Sequence, residues 1–449
     1  MWRWCWIGLW GSVVASAQTW FPVGGVEPFV HRIICPPWSP ETVIVCADSM
    51  PPVAEVWRSN IQFFGGHGFR VSVDSARSFG PPRLTGFSVR DILILPDAPQ
   101  IWLAAVVEYA TGGVVLSTDA GHTWQWSENP RCPGYLMRLQ HRAGTHPVFF
   151  AAAVNTNQGC RVSRDTFATC TGNLSFPVQS RDLSIVEDTV YLAADGYLAG
   201  GVWRSVDNGQ TWQKDSIGLG NFRIWCVVPS RHQPNVLLCG ADSLLSEIHS
   251  VGRGIYRSED GGKTWRLVGA PGVRITAIAE HPLDPRYWVA AGDTLGVWVS
   301  GSYGTAWELH SDGLPTGVPV RTVALPAWGT REGVIALAGL AGGGLYRCHP
   351  IVTSVTSPRV LPSTLSARSR SSREVLIEYT LPEGSSVRWE LIDVLGRIVA
   401  VRPVEWQGAG SHTLRWELPA SLLPGWYAVR MFTIQSCSFS ALWIPPSMR

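Results

Sequence analysis

One eight-residue pattern recurs along the chain at nearly even spacing. It reads S-x-D-x-G-x-T-W from Ser117 to Trp124, from Ser205 to Trp212 and from Ser258 to Trp265. Three worn copies keep the register, Ser72 to Phe79, Ser163 to Cys170 and Ser300 to Trp307. The opening serines stand 45, 46, 42, 53 and 42 residues apart. Short apolar runs precede each box, as in Arg274 to Ala279 and Tyr287 to Ala291, with Gly201 to Ser205 typical of the third. A fourth begins at the Thr-Trp pair. Gly, Pro and Asp clusters separate them, the signature of short strands. Within the box the Asp is suited to accept turn N–H groups and the Gly to adopt positive φ. Asp74, Asp119, Asp165, Asp207 and Asp260, with Trp124, Trp212, Trp265 and Trp307, therefore read as structural residues. Burying one such ring fully is worth on the order of 5 kcal/mol gross.

Four short strands per unit make one antiparallel sheet, and a period in the low forties predicts an all-β, seven-bladed β-propeller. Ring closure is also readable. The last unit keeps a third strand, Gly344 to Cys348, but no Thr-Trp follows it, whereas Thr19 to Gly24 matches Thr264 to Gly269 in register. The N-terminal strand is expected to complete the last blade and remove an open edge.

The box resembles the Asp-box, or BNR repeat, of sialidases, sortilin-type receptor domains, xyloglucan-degrading propellers and photosystem-assembly propellers. The likeness covers residues 19 to about 352. Those families include enzymes and pure binders, so it implies a fold and not an activity. A second resemblance covers the end of the chain. Val375 to Pro382, Trp389 to Arg397, Gly410 to His412 and Leu423 to Arg430 look like the C-terminal sorting domain of type IX secretion cargo, a small Ig-like β-sandwich. Its landmarks are the D-x-x-G-R string at Asp393 to Arg397 and the later G-x-Y-x-x-R string at Gly425 to Arg430. The final segment, Trp443 to Arg449, lacks the lysine-containing last strand of that family.

The expected organisation is a signal peptide (1–17), the propeller (18–352), a Ser/Thr/Pro/Arg-rich linker (353–373) and the sorting domain (374–449). The leader shows Arg3, an apolar stretch from Trp4 to Val14 and Ala15-Ser16-Ala17 as the cleavage site. No other run reaches the length of a membrane span. An exported protein, extracellular or on the outer-membrane surface, is expected, with the type IX machinery as one partner. A net charge of +2 argues against general nucleic-acid binding, which needs a dense basic face. An oxidising compartment permits disulfides. Cys35 with Cys46, Cys226 with Cys239, and Cys160 with Cys170 are the candidate cross-strand pairs, buried thiols being the alternative. Cys132, Cys348 and Cys437 have no evident partner. No His/Cys cluster has metal-ligand spacing, and no cofactor is implied.

Every unit opens its first strand with an arginine: Arg32, Arg90, Arg138, Arg181, Arg223, Arg274 and Arg321. First strands line the central channel, so the guanidiniums are expected around one mouth, where they would grip carboxylate, sulfate or phosphate groups. Buried like charges require partners, and Asp91, Asp182 and Glu280 lie in the same strands. The competing reading is that each arginine braces a neighbouring blade. Two long loops are expected on the same side, at about 49–66 and 241–253. The first carries Glu55, Trp57, Arg58, Phe63 and Phe64; the second carries Asp242, Glu247 and His249. Long loops on a rigid scaffold are usual carriers of recognition. Phe222 to Trp225 echoes the F/Y-R-I-P string of sialidases but lacks the proline and falls in the fifth blade. No carboxylate pair stands out for a glycosidase. The leading expectation is a binding propeller that takes a glycan or protein at the arginine-bearing mouth. The alternatives are a glycoside hydrolase and an extracellular scaffold.

Overall fold

The computed structural model describes residues 19–445 apart from 37, 50–65, 109–110, 128–133, 145, 155–158, 173–178, 196–199, 245–249, 294–295, 328, 331–332, 352–364, 372, 382–384, 394–397, 409, 420–421, 423 and 433–436. The expected leader, most of the expected linker and the loop residues Glu55, Trp57, Arg58, Phe63, Phe64, Glu247 and His249 lie outside the described residues, as does Cys132. Every named element is a β-strand.

Among the described residues, seven antiparallel sheets form between Thr19 and Ile351. We number them by their inner strands: Phe29–Ile34, Ser88–Leu95, Tyr135–Arg142, Gln179–Val186, Arg223–Pro229, Ile275–Glu280 and Val320–Ala324. Each inner strand touches the next, and that of sheet 7 touches that of sheet 1, so the sheets close into a ring. The sequence explains this packing. Second strands such as Val43–Asp48 and Val148–Val154 are buried at every residue, because both faces of each sheet pack on neighbours. Apolar runs without alternation are what two-sided burial requires. Val30, Val45, Leu337 and Leu345, for example, form one cluster that joins sheets 1 and 7.

The strand Thr19–Val23 pairs antiparallel with Gly344–Ile351, placing Trp20 opposite Cys348. Trp20 is 2% exposed. Its Nε1–H donates to the His310 carbonyl at 3.1 Å, and its backbone N–H donates to that of Asp312 at 2.9 Å. The first described strand thus completes the last sheet of the ring, as its sequence predicts.

The repeated turn has one hydrogen-bond plan. Ser117 Oγ donates to Asp119 Oδ1 (2.7 Å) and accepts the Gly121 N–H (2.9 Å), while Thr123 Oγ1 donates to Asp119 Oδ2 (2.6 Å) and Trp124 Nε1 to the Gly121 carbonyl (3.1 Å). The bonds from Thr123 and then Ser117 hold the Asp119 carboxyl far below the usual range. Gly121 sits at φ +79°, and a Cβ there would stand 2.8 Å from the Trp102 ring. The serine–aspartate–hydroxyl bonding recurs at Asp74, Asp165, Asp207 and Asp260, and in the sixth copy Ser302 occupies the Asp position. Only Trp265 of the four box tryptophans is fully buried; Trp124, Trp212 and Trp307 are half-buried, so each contributes less than full burial would.

The disulfide expectation is corrected. Cys35, Cys46, Cys160, Cys226 and Cys239 are free thiols, and Cys170 is disulfide-bonded to a residue other than Cys160. Strand parity is the reason. Cys226 lies opposite Gly240 and Cys239 opposite Val227, so the two point to opposite faces and join different clusters. Cys46 lies opposite Arg32, not Cys35, and those two also pack on different clusters. Burial pushes the Cys35 and Cys160 thiols up to about 12.

Residues 365–444 form two further sheets, one of three strands and one of four. They enclose a core of their own, including Val375, Trp389, Trp416, Val429 and Leu442. Leu365–Ser369 is a strand paired with residues 375–379, so the expected linker gives way to sheet earlier than its composition suggests. The second expected loop is also corrected. Leu237–Leu244 and Ser250–Ser258 are strands, and the extra residues of that unit lengthen a hairpin.

Candidate ligand-binding mouth

Each inner strand loses register with its neighbour near its start. The residue skipped by pairing is His31, Arg90, Met137, Arg181, Trp225, Thr276 or Arg321 in sheets 1 to 7. A bulge leaves its extra residue unpaired and re-aims the side chain. All seven line one cavity of about 710 Å³ that runs through the ring.

The bulge redistributes the expected arginines. Arg90, Arg181 and Arg321 are the bulged residues of their strands, and Arg32 and Arg138 follow the bulge directly. Arg223 and Arg274 precede it by two residues and do not line the cavity. The structure therefore brings five of the seven to the cavity wall, at two levels, rather than seven to one ring.

All seven have partners inside the protein. Across sheets 1 to 4 the position after the bulge reads Arg32, Asp91, Arg138, Asp182, an arc of alternating charge. Arg32 Nε lies 3.2 Å from Asp91, and Arg138 Nε lies 3.9 Å from Asp91 and 3.3 Å from Asp182. Arg181 donates to Asp195 at 2.6 Å. Arg223 and Arg274 share Asp242, at 2.7 and 2.9 Å, and Arg274 also reaches Asp293 at 2.8 Å. Arg321 stands 3.7 Å from Asp293. Arg90 Nη1 donates to His31 Nδ1 at 3.3 Å, and His31 Nε2 donates to Asp48 at 2.8 Å. Trp225 sits amid three guanidiniums, Arg181 at 4.0 Å, Arg274 at 5.3 Å and Arg223 at 5.8 Å from its ring centre.

Of the three acids expected to balance the arginines, Asp91 and Asp182 do so. Glu280 does not: it lies at the far end of its strand and accepts from Ser230 Oγ and the Arg231 N–H, both at 2.6 Å. Burial lifts Asp91 and Asp182 to about 6 against the opposing pull of Arg32, and lifts Glu280 to about 7. Burial, then Arg90, lowers His31. Asp91 accepts the Leu139 N–H (2.8 Å) and Asp182 the Val227 N–H (3.2 Å), each from the next sheet. These carboxylates clamp neighbouring strands.

Sequence reasoning missed Asp48, Asp195 and Asp293, and placed Asp242 in a loop. Asp48 and Asp195 end second strands, Asp242 lies near the end of one, and Asp293 follows one directly. The signal was present as CAD, AAD, GAD and AGD after apolar runs. Among the described residues no group of three or more His, Cys, Asp or Glu side chains is arranged to hold a metal ion. No helix among them is long and apolar enough to cross a membrane.

Several polar atoms around the cavity have no well-aligned hydrogen bond within the protein, among them Arg138 Nη1, Trp225 Nε1 and Thr322 Oγ1. Most are donors.

No protein-family model matches the chain, and no curated protein matches it. Solved structures do. YCF48 from Cyanidioschyzon merolae is 13% identical with a TM-score of 0.50, over 74% of this chain and 98% of that one. A structure described as YCF48 bound to D1 peptide is 10% identical with a TM-score of 0.52, over 75% and 98%. PorZ, described as a surface component of the type IX secretion system of Porphyromonas gingivalis, is 13% identical with a TM-score of 0.48, over 96% and 61%. At such identities the likeness to YCF48 speaks to architecture alone, and it shows that this all-β chain folds as a β-propeller.

Proposed function

We propose that this chain is an exported, seven-bladed Asp-box propeller that binds a glycan or protein partner at its arginine-bearing mouth. In this reading residues 1–17 are the export leader. The C-terminal sandwich is the sorting domain that delivers the protein through the type IX machinery to the surface or beyond. The observation that supports binding is that Arg138 Nη1 and Trp225 Nε1, on residues that line the cavity, have no hydrogen-bond partner within the protein. Buried donors left unpaired cost free energy, and an acceptor-rich partner would satisfy them. Asp91 and Asp182 are engaged by backbone N–H groups of the adjacent sheets and lend no support to a hydrolase. A scaffold without a small-molecule site is the second reading, favoured by the internal pairing of all seven arginines.

The test is to display the full chain and its Trp225→Phe variant to glycan and peptide arrays at low and high salt. The variant removes a donor that has no internal partner and keeps an aromatic ring among the three guanidiniums, so the fold should be retained. Salt-sensitive binding that weakens in the variant supports the mouth. Absence of binding by folded protein rejects it in favour of the scaffold.

A further inference from the structure

The cavity changes character along its length. At the bulge and the position after it, Arg138 Nη1, Trp225 Nε1 and Thr322 Oγ1 lack partners, and their residues line the cavity from sheets 3, 5 and 7. Two of these are obligate donors and the third can donate, which calls for an acceptor group. Three residues beyond the bulge five of the seven wall positions are apolar, Ile34, Leu93, Val228, Ala279 and Ala324, with Gln140 and Ser184 the polar ones; Ile94 and Leu325 line the cavity further along, where Glu280 is held by Ser230 and Arg231. At about 3.3 Å per residue, the wall from Arg90 to Ile94 spans roughly 13 Å. A polar ligand of that length would find few partners below the bulge, and a wholly apolar one would leave the donors unpaired.

We infer that the channel is a binding site for a straight-chain aliphatic carboxylate, its headgroup among Arg138, Trp225 and Thr322 and its tail along the Leu93–Val228 wall. The Arg32–Asp91–Arg138–Asp182 arc is neutral as a unit, so it does not repel the headgroup. The inference rests on the mouth being a binding site and adds a small-molecule occupant beneath it.

Calorimetric titration of the full chain with acetate, hexanoate, octanoate and decanoate, each below its micelle concentration, tests it. Affinity should rise about fourfold per added methylene until the wall is covered. Thr322→Val, which keeps shape and removes an unpartnered hydroxyl, should weaken every member by about tenfold. Val228→Asn should flatten the dependence on chain length. Equal affinity at all lengths would remove the tail site and leave the mouth standing as an anion site. No binding of any carboxylate by folded protein that still binds its array ligand would overturn the channel site alone. Variants that bind as the parent does would overturn the placement.

Discussion

Replacing Trp20 by alanine measures how far the ring depends on its first strand. The side chain is 2% exposed and packs in the cluster that joins sheets 6 and 7. Truncating a buried aromatic to alanine costs about 3–5 kcal/mol. The His310 carbonyl would also lose its donor, adding about 1 kcal/mol. The sum, about 4–6 kcal/mol, is comparable with the whole stability of many domains. Trp20→Phe keeps most of the buried ring and loses the N–H, so its cost should stay near 1–2 kcal/mol. Urea unfolding followed by circular dichroism, on parent and both variants, gives the two differences. If Trp20→Ala loses less than about 1 kcal/mol with an unchanged m-value, the strand is not integral to the ring and the closure argument fails.

Asp242 is fully buried and serves both Arg223 and Arg274. Asp242→Asn should cost about 1–3 kcal/mol, because it leaves Arg223 with only the more distant Asp195 and Arg274 with only Asp293; a melting temperature equal to the parent's would show that the pairing is incidental. Glu280 titrates near 7 in the folded protein, above its ordinary value, so the native state holds that proton more tightly than the unfolded chain. Its contribution is complete below about 4.5 and is lost as pH rises to about 7, on the order of 3 kcal/mol. Glu280→Gln should flatten that limb in unfolding curves at pH 4.5 and 7.5, and an identical slope would contradict the assignment. The buried thiols of Cys46, Cys160, Cys226, Cys239 and Cys348 should resist a thiol reagent until the protein unfolds; rapid labelling of any of them under native conditions would contradict their burial.

The turn pattern and the ring were legible because both are local. The Ser–Asp–Gly–Thr–Trp spacing encodes one hydrogen-bond plan, and the match of Thr19–Gly24 to Thr264–Gly269 foretells the pairing with Gly344–Ile351. The mouth was only partly legible. A bulge adds one residue without altering composition, so aligning Arg223 with Arg90 equates positions that differ in level and in access to the cavity. The thiols misled for a related reason: proximity in sequence says little when adjacent residues point to opposite faces. Asp195 and Asp293 were readable but draw attention only once their arginines are known to need partners.

Because the last sheet takes strands from both ends of the described ring, folding cannot finish in the order in which the chain is made. The first strand must wait for a partner more than three hundred residues later, and closing so long a loop makes assembly slow. Until then, Gly344–Ile351 presents an open edge that another molecule's Thr19–Val23 fits equally well. Refolding should therefore partition between closed monomers and strand-exchanged chains as concentration rises, and a refolding yield of monomer that does not depend on concentration would show that the ends find each other first.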